Sequence, residues 1–310
     1  MRHTVITDTF GLFYQNFFAL PPMYSPQMEP TNAVYGLTKD LFTLFKEFRP
    51  DRFFCAFDLK GKTFRRELYP QYKANRTEAP PELPPQIPRI AEIIEAFQIP
   101  ILKHEGYEAD DVIATVAATA SSDHMVTVVS PDKDCRQLLS EHVRIFNLRK
   151  RCFYDVESLL ADWGITPQQC VDFQAIVGDS SDNIPGIRGI GIKGAAELLQ
   201  KYGTFEGIYS NLDDIKGKKR EYLTTHKSDA EISRKLVELR KDVPLEIPEV
   251  QYTGYDSLKL TILFERYGFN SLYEFLQPSS GVNSPPSFIP NMSIPNLPVH
   301  RPTAPAVTPF

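Results

Sequence analysis

The most constraining feature of this chain is a repeated ending. Short apolar runs of strand length close on an aspartate: Thr4-Val5-Ile6-Thr7 leads into Asp8, and Arg52-Phe53-Phe54-Cys55-Ala56-Phe57 leads into Asp58. A third run, Met125-Val126-Thr127-Val128-Val129, is followed by Ser130-Pro131 and then Asp132. Runs of this kind, rich in β-branched and aromatic residues, predict strands buried on both faces. Shorter strands fit Ile101-Leu102 and Val143-Arg144-Ile145-Phe146. Between them lie helical stripes: Val34, Leu37, Leu41, Phe45 and Phe48, and later Ile90, Ile93, Ile94 and Phe97. Strands alternating with helices predict an α/β fold, a mainly parallel central sheet flanked by helices. Such sheets bind ligands beyond the carboxyl ends of their strands. Asp8, Asp58 and Asp132, scattered in sequence, are therefore expected to converge.

A further acidic group stands in Gly106-Tyr107-Glu108-Ala109-Asp110-Asp111-Val112, ahead of Ile113, Val116 and Ala117 at helical spacing. A helix N-terminus favours one or two negative charges. Three carboxylates in four residues repel one another, with Glu108 and Asp111 on one face. Two arrangements answer that repulsion: a first turn turned to water, or a bound cation. The acids that recur at similar junctions, Asp134, Asp179 and Asp182 among them, favour the cation.

The 310 residues suffice for one large or two ordinary domains, and 42% hydrophobic with 24% charged residues is the balance of a globular protein. No apolar run is long enough to span a bilayer and the start lacks a signal-peptide pattern, so a cytoplasmic location without a membrane partner is expected. Cys55, Cys135, Cys152 and Cys170 have neither zinc-site nor disulfide spacing. The net charge of −5 speaks at first against nucleic acid, but acids gathered in a metal site mask basic patches elsewhere.

One such patch follows Asp58. Lys60, Lys62, Arg65, Arg66, Lys73 and Arg76 are interleaved with Phe64, Tyr69 and Tyr72. That mixture suits phosphates and stacked bases of single strands; it equally suits a solvated loop with buried ring anchors. After Gln169 the pattern turns all-helical. Gly178-Asp179-Ser180-Ser181-Asp182-Asn183-Ile184-Pro185-Gly186 leads to Gly189-Ile190-Gly191-Ile192-Lys193 and an Ala/Leu-rich helix. The glycines predict a tight hairpin whose outward N–H groups and Lys193 seat a phosphate. Lys216, Lys218, Lys219 and Arg220 fit a solvated loop. Leu260, Leu263, Phe264 and Tyr267 mark a last helix. From Pro278 to Phe310 the chain is rich in Pro, Ser and Asn with one charge, Arg301, the composition of a disordered tail.

Four segments, AFDLKGKTFRRELYPQYKANR, GYEADDVIATVA, SPDKDCRQLL and GDSSDNIPGIRGIGIKGAAELL, resemble in order and spacing the 5′-nuclease family. That family comprises flap endonucleases, phage 5′ exonucleases and the N-terminal 5′-3′ exonuclease domain of bacterial DNA polymerase I, to which the resemblance is nearest. It covers roughly residues 4–276. It implies a PIN-like catalytic domain over 1–170 with a helical arch at about 60–85, then a helical DNA-binding domain over 171–277 with a helix-hairpin-helix module, then the tail over 278–310. It also implies two Mg²⁺ ions, with Mn²⁺ as a substitute. Asp8, Asp58, Glu108 and Asp110 would hold the first, with Asp110 bridging to Asp132, Asp134 and Asp182 around the second. Asp111 and Asp179 would stand in support. Lys73 and Arg76 match the catalytic residues that meet the scissile phosphate. Tyr14 and Tyr72 match stacking positions, and Arg65, Gly189, Gly191 and Lys193 complete the DNA-binding set. Thr9-Phe10, Gln15 and Phe17-Phe18 depart from the bacterial pattern, at the wall where a substrate 5′ end would lie.

The activity so implied is metal-dependent, structure-specific hydrolysis of branched or nicked DNA with a free 5′ end, or of an RNA–DNA hybrid, in replication and repair. A catalytically weak relative that only binds branched DNA, and a small-molecule phosphohydrolase using the same acids, are the alternatives.

Overall fold

The computed structural model describes residues 1–276 and 298–300. The chain opens with strand β1 (Arg2–Asp8) and helices α1 (Thr9–Ala19) and α2 (Asn32–Phe48), then β2 (Arg52–Ala56), α3 (Phe64–Leu68), α4 (Ile87–Ala96) and β3 (Ile101–Leu102). It continues through α5 (Ala109–Ala117), β4 (His124–Val129), β5 (Val143–Asn147) and β6 (Cys152–Tyr154). The remaining described elements are helical: α6 (Val156–Trp163), α7 (Cys170–Val177), α8 (Ile192–Tyr202), α9 (Phe205–Ser210), α10 (Lys218–Thr225), α11 (Lys227–Val237), α12 (Ser257–Tyr267) and α13 (Tyr273–Leu276).

The strands form one six-stranded sheet in the order β3-β2-β1-β4-β5-β6. Every pairing is parallel except β5 with β6. β1 is central and pairs with β2 on one side and β4 on the other, with Thr7 opposite both Cys55 and Val129. The strand order reverses there, and a crevice opens beyond the carboxyl ends of β1, β2 and β4. Alternate side chains feed two cores. Ile6, Phe54 and Val128 pack with α5, whereas Val5, Phe53 and Cys55 pack with α2 and α4. The first core runs on without a break into Ile187, Ala195 and Leu199, so the helical half shares the sheet's interior. α12 returns to the opposite face through Leu260 and Phe264.

The stretch 60–85 holds one short α-helix, α3, and then turns until a 3-10 turn at Pro84–Gln86. It is pinned to the loop 179–184: the Lys73 N–H donates to the Asp182 carbonyl at 2.9 Å, and Asn183 Nδ2 to the Gln71 carbonyl at 2.7 Å. Between α7 and α8 the expected hairpin is present. Gly186 has φ +62° and passes so near Gly178 that an added Cβ would lie 2.5 Å from the Gly178 nitrogen. The expected tail lies outside the described residues except for 298–300, which contact β6. No described helix is long and apolar enough to cross a membrane.

Candidate active site

Five segments deliver acids to the crevice. Asp8 ends β1 and caps α1, accepting from the Gly11 N–H at 2.9 Å and from Ser130 Oγ at 3.1 Å. Asp58, two residues past β2, accepts the Ala109 N–H at 2.8 Å and so fixes the start of α5. Glu108 and Asp110 come from that same start. Asp132 and Asp134 follow β4, with Asp132 Oδ1 taking the Asp134 N–H at 2.8 Å. Asp179 and Asp182 sit on a loop closed by paired hydrogen bonds between Asp179 and Ile184.

Crowding leaves an electrostatic mark. Burial, together with repulsion from Asp58 and Asp132, pushes the Asp8 carboxyl up to about 6. Burial and the neighbouring Asp132 push Asp134 up to about 7. Asp110 is raised well above the usual carboxylate range by burial, then by Asp132 and Asp8. Such a cluster binds protons tightly because it lacks positive charge.

At the rim, lysine and arginine partly supply that charge. Lys73 Nζ lies 3.1 Å from Glu108 and 3.7 Å from Asp182; Arg76 pairs with Asp182 at 2.6 Å, and Lys133 with Asp179 at 2.8 Å. Lys73 holds φ at +56°, an uncommon backbone conformation for a side-chain-bearing residue. Among the described residues no three acids, histidines or cysteines stand as a ready-made metal cage. The rim acids Glu108, Asp182 and Asp179 pair instead with Lys73, Arg76 and Lys133.

The N-terminal resolvase-like domain of 5′-3′ exonucleases matches residues 3–164, and their C-terminal SAM-fold domain matches residues 165–257. The chain belongs to the 5′-3′ exonuclease family. Members are phosphodiester hydrolases. The 5′-3′ exonuclease of Aquifex aeolicus is 42% identical over 250 residues, 80% of this chain and 86% of that protein. DNA polymerase I of Bacillus caldotenax is 40% identical over 294 residues, 92% of this chain but 33% of the polymerase. The chain thus spans about a third of the polymerase relatives it matches. Among solved structures, a bacteriophage T5 D15 flap endonuclease complex with DNA and metal ions superposes with a TM-score of 0.60 at 22% identity, covering 89% of this chain and 97% of that one. The shared fold is the mainly parallel sheet with flanking helices and a C-terminal helical module.

Three of the expected site residues are buried and hydrogen-bonded inside the protein, which corrects the DNA contacts expected of Arg65 and Tyr72. Arg65, expected on DNA, is 1% exposed: Nη1 and Nη2 grip both oxygens of Asp111 at 2.6 and 2.8 Å, and Nε donates to the Leu236 carbonyl. Asp111, expected to support the metals, is 0% exposed and also accepts the N–H groups of Glu108 and Arg240. Its lone pairs are spent inside the protein. Tyr72, expected to stack on bases, is buried and donates its hydroxyl to Glu108 at 2.9 Å. Tyr14 does reach solvent, 38% exposed, with its ring beside Phe18. Gly189 and Gly191 line a cavity of about 460 Å³ with Arg188 and His226, and exposed Lys193 starts α8 close by.

Two residues outside the sequence-predicted set, Ser130 and Gln174, hydrogen-bond Asp8 and Asp134. Ser130 opens the segment SPDKDCRQLL, so its place beside two acids was a usable signal. Gln174 sits within α7 and carries none.

Proposed function

We propose that this nuclease hydrolyses phosphodiesters near the free 5′ end of branched or nicked DNA, with two divalent cations, Mg²⁺ foremost. The observation that carries this reading is the convergence of Asp8, Asp110, Asp132 and Asp134 in one crevice with proton affinities raised by burial and mutual repulsion. An all-oxygen, electron-rich donor set of this kind fits Mg²⁺ or Mn²⁺ rather than a softer metal. The T5 relative was solved with DNA and metal ions.

Asp8, Asp58, Glu108 and Asp110 would hold one cation and Asp132, Asp134 and Asp182 the other, with Asp179 supporting through Lys133. When bound there, such a pair would supply a hydroxide at neutral pH and positive charge for the leaving oxygen. Lys73 and Arg76 stand at the rim, where they neutralise charge on the reacting phosphate. Tyr14 offers an exposed ring to the bases beside the cut. Gly189, Gly191 and Lys193 seat the duplex backbone away from the chemistry. In this reading residues 1–170 are the catalytic unit and 171–277 the duplex-binding unit, and an RNA 5′ end on a DNA template is an alternative substrate.

Cleavage of an end-labelled 5′ flap, titrated with Mg²⁺ and then with chelator, tests the reading. Cleavage strictly dependent on the ion is the expected result. Tight flap binding with no cleavage at any Mg²⁺ or Mn²⁺ concentration would mark a binding relative instead, and p-nitrophenyl phosphate turnover without DNA cleavage a phosphohydrolase.

A further inference from the structure

β6 pairs with β5 on one side, and on its other side the backbone of Phe153 meets residues far along the chain. The Phe153 N–H donates to the Pro298 carbonyl at 2.8 Å, and the Phe153 carbonyl accepts the His300 N–H at 2.6 Å. Val299 thereby bridges Phe153 in parallel, and its half-buried side chain packs on the core that holds Phe146 and Phe153. A polar anchor follows. His300 Nε2 lies 2.9 Å from Asp162, and its ring rests on Tyr154 with centroids 4.7 Å apart. Asp162 also pairs with Arg136 at 3.1 Å, and the Arg136 guanidinium lies over the rings of Tyr154 and Trp163.

An uncovered edge strand is a template for pairing with another chain. Here the alternation of contacts suits an added strand: backbone bonds from 298 and 300, and a core contact from 299. Proline at 298 costs nothing, because that position supplies only a carbonyl. We propose that the outer edge of β6, with Asp162 and Tyr154, is a strand-docking surface, and that its occupant is this chain's own Pro298-Val299-His300 segment, docked in cis. The 21 residues between Leu276 and Pro298 reach at most about 70 Å when extended, ample for a domain of this size. The docked segment also braces Tyr154 and Arg136, which with Ser130, Asp132 and Lys150 line a cavity of about 210 Å³. The surface therefore lies behind a wall of the catalytic crevice. This inference does not depend on which nucleic acid the enzyme cuts.

Amide hydrogen exchange on the full chain tests it, in the parent and in the variants His300→Pro, which deletes one bridging N–H, and Val299→Asp, which sets a charge against the core. Both changes lie in the docked segment itself, and the Val128 amide of β4 serves as the internal control. Phe153 should exchange at least about tenfold faster in each variant while Val128 is unchanged. A synthetic peptide of residues 294–304, added to His300→Pro, should restore the protection. Equal Phe153 exchange in parent and variants overturns the proposal. Protection in the parent that fades on dilution, with a dimer by sedimentation, overturns docking in cis, because a second copy then supplies the strand.

Discussion

On one side of the first turn of α5, Asp111 is sealed against Arg65; on the other, Asp110 faces Asp8 and Asp132 without an ion-pair partner among the described residues. The two are consecutive in sequence. A helix turns about 100° per residue, so neighbours leave the same turn toward different surroundings. Asp111 has a bidentate guanidinium and two backbone donors, and its charge is answered within the protein. Asp110 has burial and like charges around it, an arrangement that stability alone would not retain. One acid holds the basic stretch 64–68 onto the core. The other carries a charge that the surrounding side chains leave unanswered.

Removing a side chain from each half should have opposite consequences. Asp111→Ala strands the Arg65 charge inside the protein, so urea unfolding should show a loss of about 3–5 kcal/mol, the cost of breaking a buried pair. Arg65→Met, which removes the charge as well as the pairing, should recover part of that loss in the Asp111→Ala background. If Asp111→Ala unfolds at the parent's midpoint, the pair is not structural.

Asp110→Asn should do the reverse. Single-turnover flap cleavage should fall by at least about a hundredfold, roughly 3 kcal/mol in the barrier. Thermal stability without metal should be equal or higher, because a repelled charge has been removed. A variant that cuts at more than roughly a tenth of the parent rate would remove Asp110 from the metal set.

The acid cluster also sets a pH dependence. Asp8 and Asp134 hold protons up to about 6 and about 7 when folded, whereas an unfolded aspartate releases them near 3.9. The folded state therefore binds more protons in this window, and by linkage the cluster's contribution to stability falls as pH rises from about 4 to about 7. Metal-free protein should melt progressively lower across that range relative to Asp134→Asn, and added Mg²⁺ should flatten the difference. A parent-minus-variant difference that rises with pH would show Asp134 to be stabilised as a carboxylate.

The smallest effect belongs far from α5. Lys193→Ala should weaken duplex binding modestly and lower the salt slope of the dissociation constant by about one, leaving the rate at saturating DNA unchanged. Lys73→Ala should instead slow single-turnover cleavage. An exchange of these two phenotypes would mean that the DNA lies on the other face of the protein.

Much of the framework was legible. Runs of β-branched and aromatic residues announced β1, β2 and β4, because strands buried on both faces must be apolar throughout. An acid at the end of each announced the crevice. β6 and α1 carry no such signal, for different reasons. Cys152–Tyr154 is too short for any periodicity, and α1 is apolar on almost every side, so no stripe marks it as a helix.

The site was legible as a collection of types and not as an arrangement. Arg65 belongs to a basic run that looks uniform, yet its neighbour Arg66 is exposed while Arg65 is the largest fully buried side chain among the described residues. The segment 298–300 looked like the rest of a polar tail until β6 offered it a backbone edge.

The sequence by itself determined which chemistry is available: acids at strand ends and a helix start, a glycine hairpin with a lysine, and the order of motifs that marks the family. Those are local matters of residue type and spacing, which chain connectivity preserves. The tertiary structure alone decided which charge meets which. Arg65 finds Asp111 across 46 residues and Lys73 finds Glu108 across 35, while Asp110 is left facing Asp8 and Asp132. A carboxylate's role follows from its surroundings, since burial and neighbouring charge, and not the side chain itself, set whether it binds a proton, an arginine or a metal ion.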